Sequence, residues 1–167
     1  MKELKISPKL IPSLYRGYAV AGLLFLCMLE EMIKKFGPVE AEAIAKAAVM
    51  RKGALAGHKA AATTRLSGLQ GLREVHRKAF PTMEVIEFTD TRYIMRDYHC
   101  PVYEAWKQQG LTDERIAELA DIYCIGDAAF AKAFDPRIEL RFGARLMKGQ
   151  PYCEWIYTIK DPKNLAS

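Results

Sequence analysis

The chain has 167 residues, half of them hydrophobic and 27% charged, with no low-complexity run, fixed-period repeat or long Gly/Ser/Pro linker. That suits one soluble domain over residues 1–167 with a sizeable core. The net charge of +5 is concentrated, because Arg51, Lys52, Lys59, Arg65, Arg73, Arg77 and Lys78 stand against Glu74 alone between Arg51 and Phe80. Such a run attracts nucleic acid, acidic membranes or small anions. Arg51 to Arg77 carries no aromatic stacking platform, however, and the chain has no zinc-finger or RNA-recognition signature. Nucleic-acid binding is therefore not expected, and the run reads as a solvated helix face.

In chain order, Leu14 to Phe36 is an apolar-rich helical segment stopped by Gly37-Pro38. Its longest apolar run, Tyr18 to Leu29, is too short for a membrane span. Pro8 and Pro12 before it, and Glu30-Glu31 after it, do not suit a signal peptide. A buried helix or a homodimer contact is the expected meaning, in a cytoplasmic protein without a membrane partner. Val39 to about Arg65 is rich in good helix formers, with Gly53 and Gly57 allowing close packing or a bend. A further helix covers Leu66 to Ala79, on which His76, like His58 before it, is expected to be exposed.

The period then changes. Met83 to Cys100 is rich in β-branched and aromatic residues and predicts one or two strands, Cys100 ending the last. Val102 to Gln109 reads as a short helix. Thr112 is a good N-cap for a helix running to Phe134. Ile138 to Leu146 and Cys153 to Ile159 alternate cleanly, as a C-terminal hairpin of half-buried antiparallel strands does, with Glu154 on the solvated side. The predicted class is α+β: helices over 13–80 packed on a small antiparallel sheet, with mixed sheet and helix over 83–160.

The Thr112 to Phe134 helix carries the most informative residue. Ile116, Ala120, Tyr123, Phe130 and Phe134 line its apolar stripe, and Asp127 falls near the stripe's centre with Cys124 at its edge. Burying an unpaired carboxylate is costly, so Asp127 has a partner, a raised pKa or a function. A salt bridge to a buried Arg and a catalytic pairing with Cys124 are both open.

The cysteines (Cys27, Cys100, Cys124, Cys153) do not form a disulfide framework and read as reduced thiols. If the sheet packs on the Asp127 helix, Cys100, Cys124 and Cys153 approach one interior region. Three readings follow. One thiolate attacks an electrophilic carbon while Asp127 or His99 moves protons. Alternatively Cys100, Cys124, Cys153 and His99 bind zinc, although no C-x-x-C pair exists and the spacing is wrong for a zinc site. In the third, the cysteines are small core hydrophobes. The Cys100-Pro101 dipeptide, found in some haem-responsive proteins, is too short a match to weigh. No metal and no cofactor is expected.

At these residues the sequence resembles the bacterial L-2-amino-thiazoline-4-carboxylic acid hydrolase family. The likeness lies in Cys100-Pro101, Cys124-Ile125-Gly126-Asp127 and Gly149-Gln150-Pro151-Tyr152-Cys153, in that order and spacing. It implies a hydrolase that opens a small cyclic amidine carboxylate by adding water to the ring carbon between nitrogen and sulfur. It also implies roles for Cys100, Cys124, Asp127 and Cys153 without assigning them. The chemistry favours Asp127 as base and Cys124 as nucleophile or water-positioning group, with Arg65 or Arg73 holding the carboxylate of a small anionic substrate. The Gly149 to Cys153 ending is also similar to small-molecule-sensing domains of the vinyl-reductase type. Under that alternative the cysteines line a binding pocket, and Asp127 acts only as a hydrogen-bond partner.

Overall fold

The computed structural model describes residues 11–80 and 82–159. Among them three helices come first: α1 (Ile11–Phe36), α2 (Pro38–Thr63) and α3 (Gly68–Ala79). Strands β1 (Glu84–Phe88) and β2 (Arg92–Asp97) follow, then α4 (Pro101–Gln108), α5 (Asp113–Tyr123) and α6 (Ile125–Phe134). Strands β3 (Ile138–Ala144) and β4 (Cys153–Ile159) form the C-terminal hairpin, joined through a 3-10 turn at Leu146–Lys148. The fold is α+β, as the change of period predicts. No described helix is long and apolar enough to cross a membrane.

All strand pairs are antiparallel, in the order β1-β2-β4-β3, so β4 is central. Its register sets Tyr157 between Tyr93 and Leu140, Trp155 between Met95 and Phe142, and Cys153 beside Asp97. The two-residue period turns these side chains toward the helices. Arg92, Arg96 and Glu154 take the other face, where Glu154 is half-buried against Arg96 at 2.7 Å. A groove of about 450 Å³ on that outer face is lined by Arg92, Glu139, Leu140, Arg141, Ile156 and Thr158. It lies across the sheet from the chemistry described below.

The interior has two apolar clusters. One joins Leu26 and Leu29 of α1, Ala41 and Ala45 of α2, Trp106 of α4, and Ile116 and Leu119 of α5. The other joins Leu69 and Leu72 of α3, Phe134 of α6, and Tyr93, Met95, Ile138 and Tyr157 of the sheet. Helix α6 runs tightly along α2. A Cβ at Gly53 would collide with the carbonyl oxygen of Gly126, and one at Gly57 with that of Phe130. The glycines of α2 therefore permit close packing, one of the two roles their positions suggest.

Three expectations are corrected. The Thr112 to Phe134 helix is two, because the chain turns at Cys124, which ends α5 and starts α6. The turn lets Gly126 meet Val49 and Gly53 at backbone distance. The predicted cap at Thr112 holds, its Oγ1 accepting from the backbone of Arg115 at 3.3 Å. Cys100 lies beyond the strand and caps α4, its Sγ accepting from the amide of Tyr103 at 3.5 Å. His76 is buried, at 3% exposure, because α3 turns it inward onto the sheet.

The Tyr18 to Leu29 run is shared between two surfaces. Leu26 and Leu29 are buried, whereas Val20, Leu24 and Met28 remain 56–60% exposed.

Candidate functional site

Asp127 stands in the first turn of α6, at the seam between the two apolar clusters. Tyr18, Cys100, Tyr123 and Cys124 border it from the first cluster, and Phe130 and Trp155 pack with the second. No guanidinium pairs with it. Its hydrogen-bond partner is Trp155, whose Nε1 donates to Oδ2 at 3.0 Å. By surface area Asp127 is half-buried, yet protein surrounds its carboxyl as densely as a deep site. Desolvation raises its pKa, opposed by the Trp155 hydrogen bond and the charge of Lys52.

The three thiols meet there, as the sequence suggests. The charge of Asp127 is felt at Cys100, Cys124 and Cys153, and the thiols feel one another. Burial is the main effect on each. It pushes Cys100 up to about 11, Cys153 up to about 12 and Cys124 well above the ordinary thiol range. Cys100 and Cys124 both stand at helix N-termini, but of these two only Cys100 receives backbone amides, those of Tyr103 and Val102, which favour its thiolate. Cys153 Sγ accepts from the backbone of Leu146 at 3.4 Å, and the Cys124 thiol lies 3.9 Å from the sulfur of Met147. Tyr123, pushed up to about 12 by burial, and the buried Tyr157 also feel the Asp127 charge. At neutral pH the seam holds neutral thiols and phenols around one carboxyl.

The other candidates lie elsewhere. His99 is half-buried, paired with Glu104 and edge-on to Tyr15. Arg65 is exposed, and Arg73 lays its guanidinium over Phe88 at 4.4 Å. Among the described residues, no three His, Cys, Asp or Glu side chains are grouped as metal ligands. Trp155, Tyr18, Tyr157 and His76 were not singled out from the sequence. Alternation places Trp155 and Tyr157 on the inner face of β4, but only the packing of α6 on the sheet brings Trp155 into hydrogen bond with Asp127 and Tyr157 within reach of its charge.

A helical layer over a four-stranded antiparallel sheet, with one carboxyl and several thiols at an interior seam, defines an α+β protein with a polar cluster between its helices and its sheet. Residues 18–157 match the L-2-amino-thiazoline-4-carboxylic acid hydrolase family, and the chain belongs to it. No curated protein matches. Among solved structures, the chain is similar to subunit 3 of a trafficking protein particle complex from Naegleria fowleri, covalently bound to palmitic acid. The TM-score is 0.57 at 12% identity, covering 87% of this chain and 96% of that one. It is also similar to the phenol-responsive sensory domain of the transcription activator PoxR, at TM-score 0.54 and 13% identity, covering 85% of this chain and 74% of that one. At such identities the likeness shows the fold.

Proposed function

We propose that the protein hydrolyses a small cyclic amidine carboxylate of the 2-amino-thiazoline-4-carboxylate type at Asp127. The carrying observation is the half-engaged carboxyl: Trp155 holds Oδ2, which leaves Oδ1 to face a guest. An amidine edge offers N–H donors that match a carboxylate. Asp127, as carboxylate, takes a proton from water while the oxygen bonds the ring carbon between nitrogen and sulfur, and the C=N π pair moves onto the ring nitrogen, which takes up water's second proton. The carbon–sulfur bond then breaks, the electron pair leaves with sulfur, and a proton returns to it, giving N-carbamoyl-cysteine. The raised Asp127 carboxyl suits both halves of this exchange.

The thiols fit this route as neutral neighbours of the leaving sulfur. Burial disfavours a resting thiolate at all three, so Cys124 serves better as a water-positioning group than as a nucleophile. Cys100, capped by backbone amides, is the thiol best placed to ionise if a covalent step occurs. With Arg65 and Arg73 outside, Lys52 supplies the positive charge felt at Asp127 and favours an anionic guest.

The test is incubation with 2-amino-thiazoline-4-carboxylate, following N-carbamoyl-cysteine by NMR. Asp127→Asn keeps an acceptor for Trp155 but cannot take a proton, so turnover falls at least about a hundredfold while binding persists. Binding without turnover in the unaltered protein would favour the sensing-domain alternative, to which the phenol-responsive neighbour lends the fold.

The exposed α1 stripe of Val20, Leu24 and Met28 suits a second copy of the chain. Antiparallel pairing about Leu24 sets Val20 against Met28 and brings Arg16 of each copy near Glu31 of the other. Sedimentation of Leu24→Arg beside the unaltered protein checks this; identical masses would remove the dimer.

A further inference from the structure

Residues 145–152, which join β3 to β4, lie against the thiols. Met147 is 3% exposed, packs into the α1–α5 cluster, and sets its sulfur 3.9 Å from Cys124 Sγ. The amide of Leu146 donates to Cys153 Sγ at 3.4 Å. One short segment therefore touches two of the three thiols. Cys100 is held by the amide of Tyr103 instead.

The segment's own hydrogen bonds close on themselves. The amide of Lys148 donates to the Arg145 carbonyl at 2.9 Å, and that of Gly149 to the Leu146 carbonyl at 3.0 Å. Gln150 returns to Arg145 twice, its amide donating to the carbonyl at 3.3 Å and its Oε1 accepting from the amide at 2.7 Å. Gly149 supplies the left-handed residue, at φ 75°, that so tight a closure needs. Among the described residues, no backbone hydrogen bond ties 145–150 to an α-helix.

Charge makes the connection. Asp121 lies one turn before Cys124 on α5, and its Oδ1 meets Arg145 Nη1 at 3.1 Å while its Oδ2 meets Lys148 Nζ at 2.7 Å. The Asp121 side chain is 56% exposed, so water and salt weaken both pairs. Such a tie holds the segment down without fixing it.

We propose that residues 145–152 form a strap latched to Asp121, whose release withdraws Met147 and opens Cys124, Cys153 and the neighbouring Asp127 carboxyl to a small guest. The closed turn swings as one body about its ends, Tyr152 and the irregular β3 pairing between Phe142 and Ala144. Met147 suits the moving part, because an unbranched thioether leaves and re-enters a packed site easily. The strap regulates entry to the site proposed above; it rests on the hydrolase reading for what enters, not for the opening.

Asp121→Asn removes the latch and Asp121→Glu keeps it. Both are compared with the unaltered protein by iodoacetamide labelling of each cysteine at one fixed alkaline pH and by amide hydrogen exchange. Turnover of 2-amino-thiazoline-4-carboxylate is assayed separately. In Asp121→Asn, Cys124 and Cys153 react roughly threefold faster or more, Cys100 keeps its rate, and Asp121→Glu matches the unaltered protein. Exchange quickens at the Leu146 amide, which leaves Cys153, but not at Lys148 or Gly149, whose bonds stay within the turn. Salt at about 1 M speeds the unaltered protein in the same way and leaves Asp121→Asn as it was.

Unchanged labelling and exchange in Asp121→Asn overturn the strap. Equal gains at all three thiols overturn it too, since they mean general loosening, and so does faster exchange at Lys148 and Gly149, since the turn then unravels. A gain at Cys124 alone, with Leu146 unmoved, reflects Arg145 acting on that thiolate and counts equally against it. Selective gains without turnover uphold the strap while the hydrolase reading fails; turnover without them does the reverse.

Discussion

The indole N–H of Trp155 reaches Oδ2 of Asp127 at 3.0 Å across the gap between β4 and α6, so one strand position tunes the acid on a helix. That hydrogen bond lowers the carboxyl pKa against the rise from desolvation. Removing it in Trp155→Phe leaves desolvation less opposed, so the pKa moves further up. A base that works as carboxylate is then ionised over a narrower range. The acid limb of the kcat/KM–pH profile for 2-amino-thiazoline-4-carboxylate moves to higher pH, with the alkaline side little changed. A limb that stays in place or moves down would separate Asp127 from the chemistry.

The thiols supply a second prediction. At pH 7.5 a thiol with a pKa of about 11, such as Cys100, is ionised to roughly one part in three thousand. Cys27 is exposed on α1. Iodoacetamide at neutral pH, read by peptide mass spectrometry, modifies Cys27 at least about a hundredfold faster than Cys100, Cys124 or Cys153. Raising the pH to about 9.5 speeds labelling of these three thiols as their thiolate fraction grows. Fast neutral-pH labelling of any of the three would restore a thiolate nucleophile and set aside the water-addition route.

What the sequence revealed follows from which signals are local. Period and composition placed the helices and the β3–β4 alternation, and Asp127 stood out because an acid interrupted an apolar stripe. The break at Cys124 was hidden because both halves are good helix formers; only the need for α6 to meet α2 backbone to backbone turns the chain there. His76 was misread for a related reason. It sits among Arg73, Arg77 and Lys78, whose charges suggest a solvated face, while its own direction is set by a sheet more than a dozen residues away. Trp155 and Asp127 are 28 residues apart, and no local pattern joins them. The thiol convergence was legible only on the condition that the sheet covered the helix, which it does.

Gly53 shows which of two effects on α2 wins. In a helix interior, Gly→Ala alone stabilises by about 0.5–1 kcal/mol. Here the added methyl meets the carbonyl oxygen of Gly126, and backbone cannot swing aside as a flexible side chain does. Gly53→Ala therefore destabilises by at least about 2 kcal/mol in urea unfolding, and because α6 carries Asp127, activity falls with it. Leu55→Ala, on the same helix but 63% exposed, stays within about 0.5 kcal/mol. Equal stabilities for the two variants would mean that α2 and α6 stand further apart.

His76 also makes folding stability depend on pH, with a sign that follows from its burial. Its folded pKa is lowered from 6.5 to about 3 by desolvation, so the unfolded chain takes up a proton that the folded chain refuses. Its contribution is complete above about pH 6.5 and declines as the pH falls toward 3, by up to about 1.4 kcal/mol per unit. Tyr93 and Tyr157 do not titrate in that window, since burial pushes the first to about 12 and the second well above the ordinary range. Asp127, raised by burial, works in the opposite sense, so the whole-protein curve does not isolate the histidine. The difference between the unaltered protein and His76→Phe does. From pH 6.5 to 4.5 the unaltered protein loses about 2 kcal/mol relative to the variant, read from urea midpoints at each pH. A difference that stays flat over that range would mean that the imidazole reaches solvent or finds a proton-sharing partner.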